Sequence, residues 1–166
     1  MIGVAYVQRL ARYNRWQNGS LYGCADRLTD EERRRECGAF FGSIHKTLSH
    51  LLWADRTWMS RFGVGAPPEA PFAASALFKS DWPALRRERV ETDAAMIGWA
   101  DGLDEAWLVG DLAYLSQSTG RGFNGPRWEY VAHFFNHQTH HRGQVHCLLT
   151  QAGQKPDDTD LMLMPK

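Results

Sequence analysis

A chain of 166 residues is long enough to bury one hydrophobic core as a single domain (1–166), and its charges balance at 19 Lys+Arg against 19 Asp+Glu. That balance leaves no global basic field to draw a polyanion, and no apolar run approaches the ~18 residues of a membrane span, so neither nucleic acid nor a membrane is an expected partner. Cys24, Cys37 and Cys147 form an odd, widely spaced set without a C-x-x-C pair, which argues against a disulfide framework and for a reducing, cytoplasmic setting.

The opening segment MIGVAYVQRLARYNRW has an arginine at position nine and no sustained apolar stretch, so no signal peptide is expected. A first helix is predicted over 3–28, ending near Leu28-Thr29-Asp30. The mixed-sign DEERRRE run (30–36) reads as a solvated helix end or loop rather than a phosphate patch. A second helix is predicted over 39–62, because Phe41, Ile44, Leu48, Leu51, Leu52 and Met59 recur at three- and four-residue steps and so share a buried face; Gly63 supplies its stop. The Gly-, Pro-, Ala- and Ser-rich stretch 63–80 reads as a long surface connection.

Ser80-Asp81-Trp82-Pro83 carries an N-cap signal with proline in the first turn, opening a third helix that runs to about Ala100 with Gly102 just beyond. Residues 107–110, 111–115 and 120–123 are predicted to make a short hairpin, with Ser118, Thr119 and Gly120 at its turn. The fourth helix is predicted from Asn124-Gly125-Pro126 to Gly153. The fold class is all-α: a four-helix bundle with a long connection between helices two and three, which lets those two run in the same direction, and a short β-hairpin before helix four.

The fourth helix concentrates the chemistry. His133, His137, His140 and His141 fall within nine residues, and at about 100° per residue positions 133, 137 and 141 climb one face. Imidazoles at i, i+4 spacing aim ring nitrogens at one point, as a metal site requires. A further ligand has to come from elsewhere, and outside this segment only His45 and His50 remain. They are five apart and point in different directions. The apolar neighbours Leu48, Leu51 and Leu52 favour His50, although periodicity alone leaves that choice open.

The pairing of SIHKTLSHLLWADRTWMSRF with HFFNHQTHHRGQVHCLLTQAG, the upstream YNRWQNGSLYGCADRLTDEER and the terminal PDDTDLM resemble the DinB/YfiT-like metalloenzyme family over essentially the whole chain. The resemblance implies a four-helix bundle holding one divalent metal on three histidines, one from the second helix and two from the last. Carried onto this chain, those positions are His50, His137 and His141. It also implies a homodimer as a plausible assembly, and low-molecular-weight thiols as substrates of some relatives.

Three neutral imidazoles suit Zn²⁺, Ni²⁺, Fe²⁺ or Mn²⁺ and leave open coordination positions, the arrangement of a catalytic rather than a structural site. His133 competes as a ligand, as a partner to one, or as a proton carrier. Asp55 and Glu129 are candidates to orient a ligand nitrogen or to act as base, against the plainer expectation of salt bridges to Arg142, Arg56 or another arginine. His140 is expected to line the pocket or pack on another helix, and His146 to face away. Gln144 shares the histidine face. Gly143 suggests a close helix approach, and Tyr13, Asn14, Trp16 and Trp53 are candidate pocket walls. Three functions fit: a metal-dependent, thiol-dependent transferase acting on a small molecule; a hydrolase using a metal-bound water; and a non-catalytic metal-binding stress-response module.

Overall fold

The computed structural model describes residues 1–165. Four long helices, α1 (Val4–Asp26), α3 (Ile44–Arg61), α4 (Trp82–Asp101) and α6 (Arg127–Gln151), form the bundle, with short helices α2 (Asp30–Arg34) and α5 (Glu105–Val109) at its ends. α1 packs on α4 and α6, and α3 on the same two helices. Contacts give the directions. Asp26 meets Trp82 and Arg12 meets Asp101, so α1 and α4 are antiparallel. Asp55 meets Arg89 and Phe62 meets Trp99, so α3 and α4 run parallel, as the long connection between them allows. None of these helices is long and apolar enough to cross a membrane.

Each long helix is apolar at both ends and polar in its middle. Leu21, Ala25, Leu48, Leu52, Leu85, Val145 and Leu149 close one end of the core. Val7, Ala11, Met59, Phe62, Met96, Ala100, Phe134 and Phe135 close the other. Between them lies a buried layer in which Arg89 bridges Asp55 (2.6 Å) and Asp93 (2.7 Å). Asn14 and Asn18 donate to Asp93, Gln138 donates to Asp55 at 3.0 Å, and Arg142 donates to Asn14 Oδ1. Two carboxylates face two guanidiniums, which is how a bundle interior accommodates charge.

Local chemistry moves several expected boundaries. The second long helix starts at Ile44 rather than 39, because Gly42 sits at φ 84° in a tight turn and Ser43 caps the helix by accepting from the Lys46 N–H. Any Cβ at position 42 would collide with the Glu36 carboxylate. Thr29 and Glu32 form a capping box, so part of the charged run 30–36 is the helix α2. Asp81 caps α4 and Gly153 follows α6 at φ 78°, both as expected.

The hairpin is present but displaced. Its strands are β1 (Asp111–Leu115) and β2 (Gly122–Pro126), with Tyr114 opposite Phe123, and Gly120 lies in the turn at φ 66°. Residues 107–109, expected in the hairpin, belong to α5 because Asp104 caps them into a helix turn. Residues 124–126, expected to open the last helix, pair in β2 instead.

The 63–80 connection is not a plain surface link. Its 3-10 turn Phe72–Leu77 lies on α3, buries Ser75 and fastens itself through Trp53 Nε1–H to Ala70 O (2.7 Å) and the Lys79 N–H to Ser49 Oγ (3.0 Å).

Candidate metal centre

His137 and His141 sit one turn apart on α6, alternating with Gln138 and Arg142, which turn into the polar layer. His50 meets them from α3. One ligand atom from each of the three lies within 4.8 Å of the other two. The Nε2 atoms of His137 and His141 are 3.1 Å apart. Two nitrogens ~2.1 Å from one cation stand ~3.0–3.4 Å apart when the angle between them is ~90–109°, so this pair is already set for a shared ion.

The outer nitrogens are held. Gln144 Oε1 accepts from His141 Nδ1–H across 2.8 Å, which leaves the His141 Nε2 lone pair facing the cluster. Ser75 Oγ stands 2.9 Å from His50 Nδ1. His137 Nδ1 is buried without a partner. Phe41 stacks on His50 with ring centroids 4.0 Å apart and tilts over His141 at 5.4 Å.

This enclosure favours neutral rings. Burial, reinforced by His141, lowers the pKa of His50 to about 3. Burial, with the neighbouring histidines adding to it, does the same for His137. His141 is lowered chiefly by burial, against the hydrogen bond to Gln144. Neutral imidazoles with free lone pairs are the form that ligates a metal, so the donor set, its spacing and its protonation fit a divalent cation.

The cluster opens on a cavity of about 200 Å³ whose walls include His50, His137, His133, Trp53, Trp58, Phe72 and Arg61. His133 borders this cavity and lies outside the three-histidine group, its ring centroid 6.0 Å from that of His137 and 5.2 Å from that of Trp58. Burial and then Arg61 lower its pKa, which keeps it a neutral base.

Other candidates fall elsewhere. Asp55, expected as a base or as an orienter of a histidine, has its carboxylate taken by Arg89 and Gln138. Its partner is a buried arginine, not Arg56 or Arg142. Glu129 is exposed in the first turn of α6 and does not line the cavity. His45 is buried and donates Nε2–H to Lys79 O at 2.7 Å. His140 is exposed beside Gln144, and His146 is half-buried away from the centre.

Of the four candidate walls only Trp53 lines the cavity. Tyr13 donates to Thr159 O with Trp16 edge-on against it, and Asn14 belongs to the polar layer. Gly143 is exposed with nothing near its Cβ position, so no helix approaches there. Sequence reasoning missed Ser75 and Phe72, because nothing in an Ala- and Pro-rich link signals that it folds back on α3. It also missed Arg89, although Arg89 and Asp93 stand at a telling i, i+4 spacing.

The DinB family model matches residues 2–166. The protein DinB of Bacillus subtilis (strain 168) is 25% identical over 157 residues, which span 93% of this chain and 91% of that protein. The crystal structure of a DinB-like protein from Bacillus cereus ATCC 10987 superposes with a TM-score of 0.64 at 20% identity, covering 86% of this chain and 90% of that one. That likeness speaks for the fold.

Proposed function

The chain belongs to the DinB family, and from that premise we propose that it holds one divalent cation on His50, His137 and His141 and acts as a metal-dependent enzyme on a small molecule, in the manner of a thiol-dependent transferase. The observation that carries this reading is the convergence of three neutral imidazoles at the edge of a cavity. A cation bound there supplies Lewis acidity, lowering the pKa of a thiol or water that coordinates it.

The chain's own residues do the rest. Gln144 and Ser75 fix two of the rings by their outer nitrogens, so that Nε2 rather than Nδ1 is presented. Phe41 covers one side of His50, and Phe72 and Trp53 flank it at the cavity, giving that ring an aromatic surround. His133, neutral and on the cavity wall, takes the thiol proton. The thiolate sulfur then forms a bond to an electrophilic carbon, and the leaving group departs with the electron pair of the bond that breaks.

Hydrolysis is the second reading: no Asp or Glu is among the described residues of the lining, and His133 is the base at hand for a water as for a thiol. The test is to assay metal-stripped and Zn²⁺-loaded protein for consumption of small thiols in the presence of alkylating electrophiles. Zinc-dependent thiol consumption supports the transferase. Zinc-dependent ester or amide cleavage without thiol would replace it with the hydrolase, and no turnover of either kind would leave a metal-binding module.

A further inference from the structure

Arg61 closes α3 and reaches back over the aromatic side of the cavity. Its guanidinium carbon lies 4.5 Å from the centroid of Trp58 and 4.1 Å from that of Tyr114, so the fork is clamped between helix and hairpin. Cation–π contacts of this kind fix the plane of the guanidinium but satisfy none of its N–H groups. Among the described residues no carboxylate lies within salt-bridge distance of it and no acceptor within hydrogen-bond distance. The contrast with Arg89 and Arg56 is direct, since each has a carboxylate at 2.6 Å.

Arg61 is also the single cation among the described residues lining this cavity, and no anion there opposes it. Its setting is partly desolvated, which lowers its pKa without removing its charge at neutral pH. A rigid, unpaired fork in a part-buried aromatic pocket is built to take a planar anion in bidentate fashion. If its purpose were only to pin the hairpin onto α3, a neutral aromatic or aliphatic side chain would serve without placing a charge on the cavity wall.

We propose that Arg61 is an anion subsite: it binds the carboxylate of a compact organic acid whose other end reaches the three-histidine centre. The cavity sets the size. At about 200 Å³ it has room for a short aliphatic or small aromatic carboxylic acid. Tyr114 and the Ser116–Ser118 turn, on the hairpin, form the wall around the bound carboxylate, and Ser116 and Ser118 hydroxyls sit 3.0 Å apart there. This rests on the reading of the site as a small-molecule pocket, and names the charge and size of what enters it.

The test is calorimetric titration of Zn²⁺-loaded protein with 3-mercaptopropionate and with its neutral counterpart 3-mercapto-1-propanol, for wild type, Arg61→Gln and Arg61→Lys. The wild type is expected to bind the acid at least tenfold more tightly than the alcohol, from the worth of a charge-assisted pair. Arg61→Gln loses that preference at unchanged zinc content, and Arg61→Lys keeps part of it. Propionate, titrated into metal-free wild type and Arg61→Gln, reads the subsite without the metal and without a thiol. Equal affinity for acid and alcohol in the wild type, a preference that survives Arg61→Gln, or no binding of any of the three probes overturns the subsite. Absence of zinc from the wild type counts against the metal centre instead, and the propionate arm then still decides Arg61.

Discussion

Ser75 Oγ stands 2.9 Å from Nδ1 of His50, so a residue of the interhelical connection, not of any bundle helix, sets the ring of the histidine on α3. Removing such an outer partner typically weakens metal affinity by about 10–100-fold. Ser75→Ala is therefore expected to raise the dissociation constant for Zn²⁺ by that factor in competition with a chromogenic chelator, with stoichiometry unchanged. An unaltered constant would mean that the connection packs beside the centre without supporting it.

His133 and His141 separate ligand from neighbour. His141→Ala is expected to lose bound metal. His133→Ala should keep it, because that ring lies outside the converging group, and lose about 10²-fold in thiol turnover as an acid–base residue does. Metal loss in His133→Ala would make it a ligand.

Asp55 is structural in this account. Asp55→Ala leaves Arg89 and the Gln138 amide facing an empty site in the buried layer, and is expected to cost about 3–5 kcal/mol in denaturant unfolding. The double variant Asp55→Leu with Arg89→Met is not expected to recover that loss, because it leaves the buried Asp93 carboxylate without the guanidinium it shares with Asp55. A folded, fully stable Asp55→Asn that retains metal yet loses all turnover would point to catalysis instead.

His45 predicts a pH dependence. It donates Nε2–H to Lys79 O, its buried Nδ1 has no partner, and burial lowers its pKa below the usual 6.5. The unfolded chain thus takes up a proton near pH 6.5 that the folded one refuses until lower pH. Its contribution to stability is complete above 6.5 and declines as pH falls below it, by about 1.4 kcal/mol per unit at most, until the folded pKa is reached. His45→Gln keeps the donor to Lys79 and should reduce the slope of the unfolding free energy of metal-free protein between pH 6.5 and 4.5 by up to about 1.4 kcal/mol per unit, the slope from His50, His137, His141 and His133 remaining. An identical slope would contradict the assignment.

The helices and the histidine stripe were readable in the sequence because each rests on local periodicity: Leu48, Leu51 and Leu52 share a stripe, and His137 and His141 repeat at one turn. The length of the link between α3 and α4 allowed their parallel course without requiring it. What escaped is non-local. The polar layer interrupts the apolar stripe at Asn14, Asp55, Arg89 and Gln138, single positions on four different helices whose meaning appears only when they meet. Ser75 and Arg61 belong to the site through chain reversal and a hairpin contact, which no spacing within one segment encodes. The hairpin's displacement has a local cause instead, since the Asp104 cap, bonded three residues on, competes for residues that could equally have extended the strand.

The central claim is a three-histidine metal centre, and elemental analysis of protein purified without a histidine tag tests it most directly. The wild type is expected to carry about one divalent ion per chain, and His137→Ala close to none, with both folded by circular dichroism. A tag-free wild type that carries no metal and takes up none on titration with Zn²⁺, Ni²⁺, Fe²⁺ or Mn²⁺ would contradict the account, and the 3.1 Å approach of His137 to His141 would then be an N–H···N hydrogen bond and nothing more.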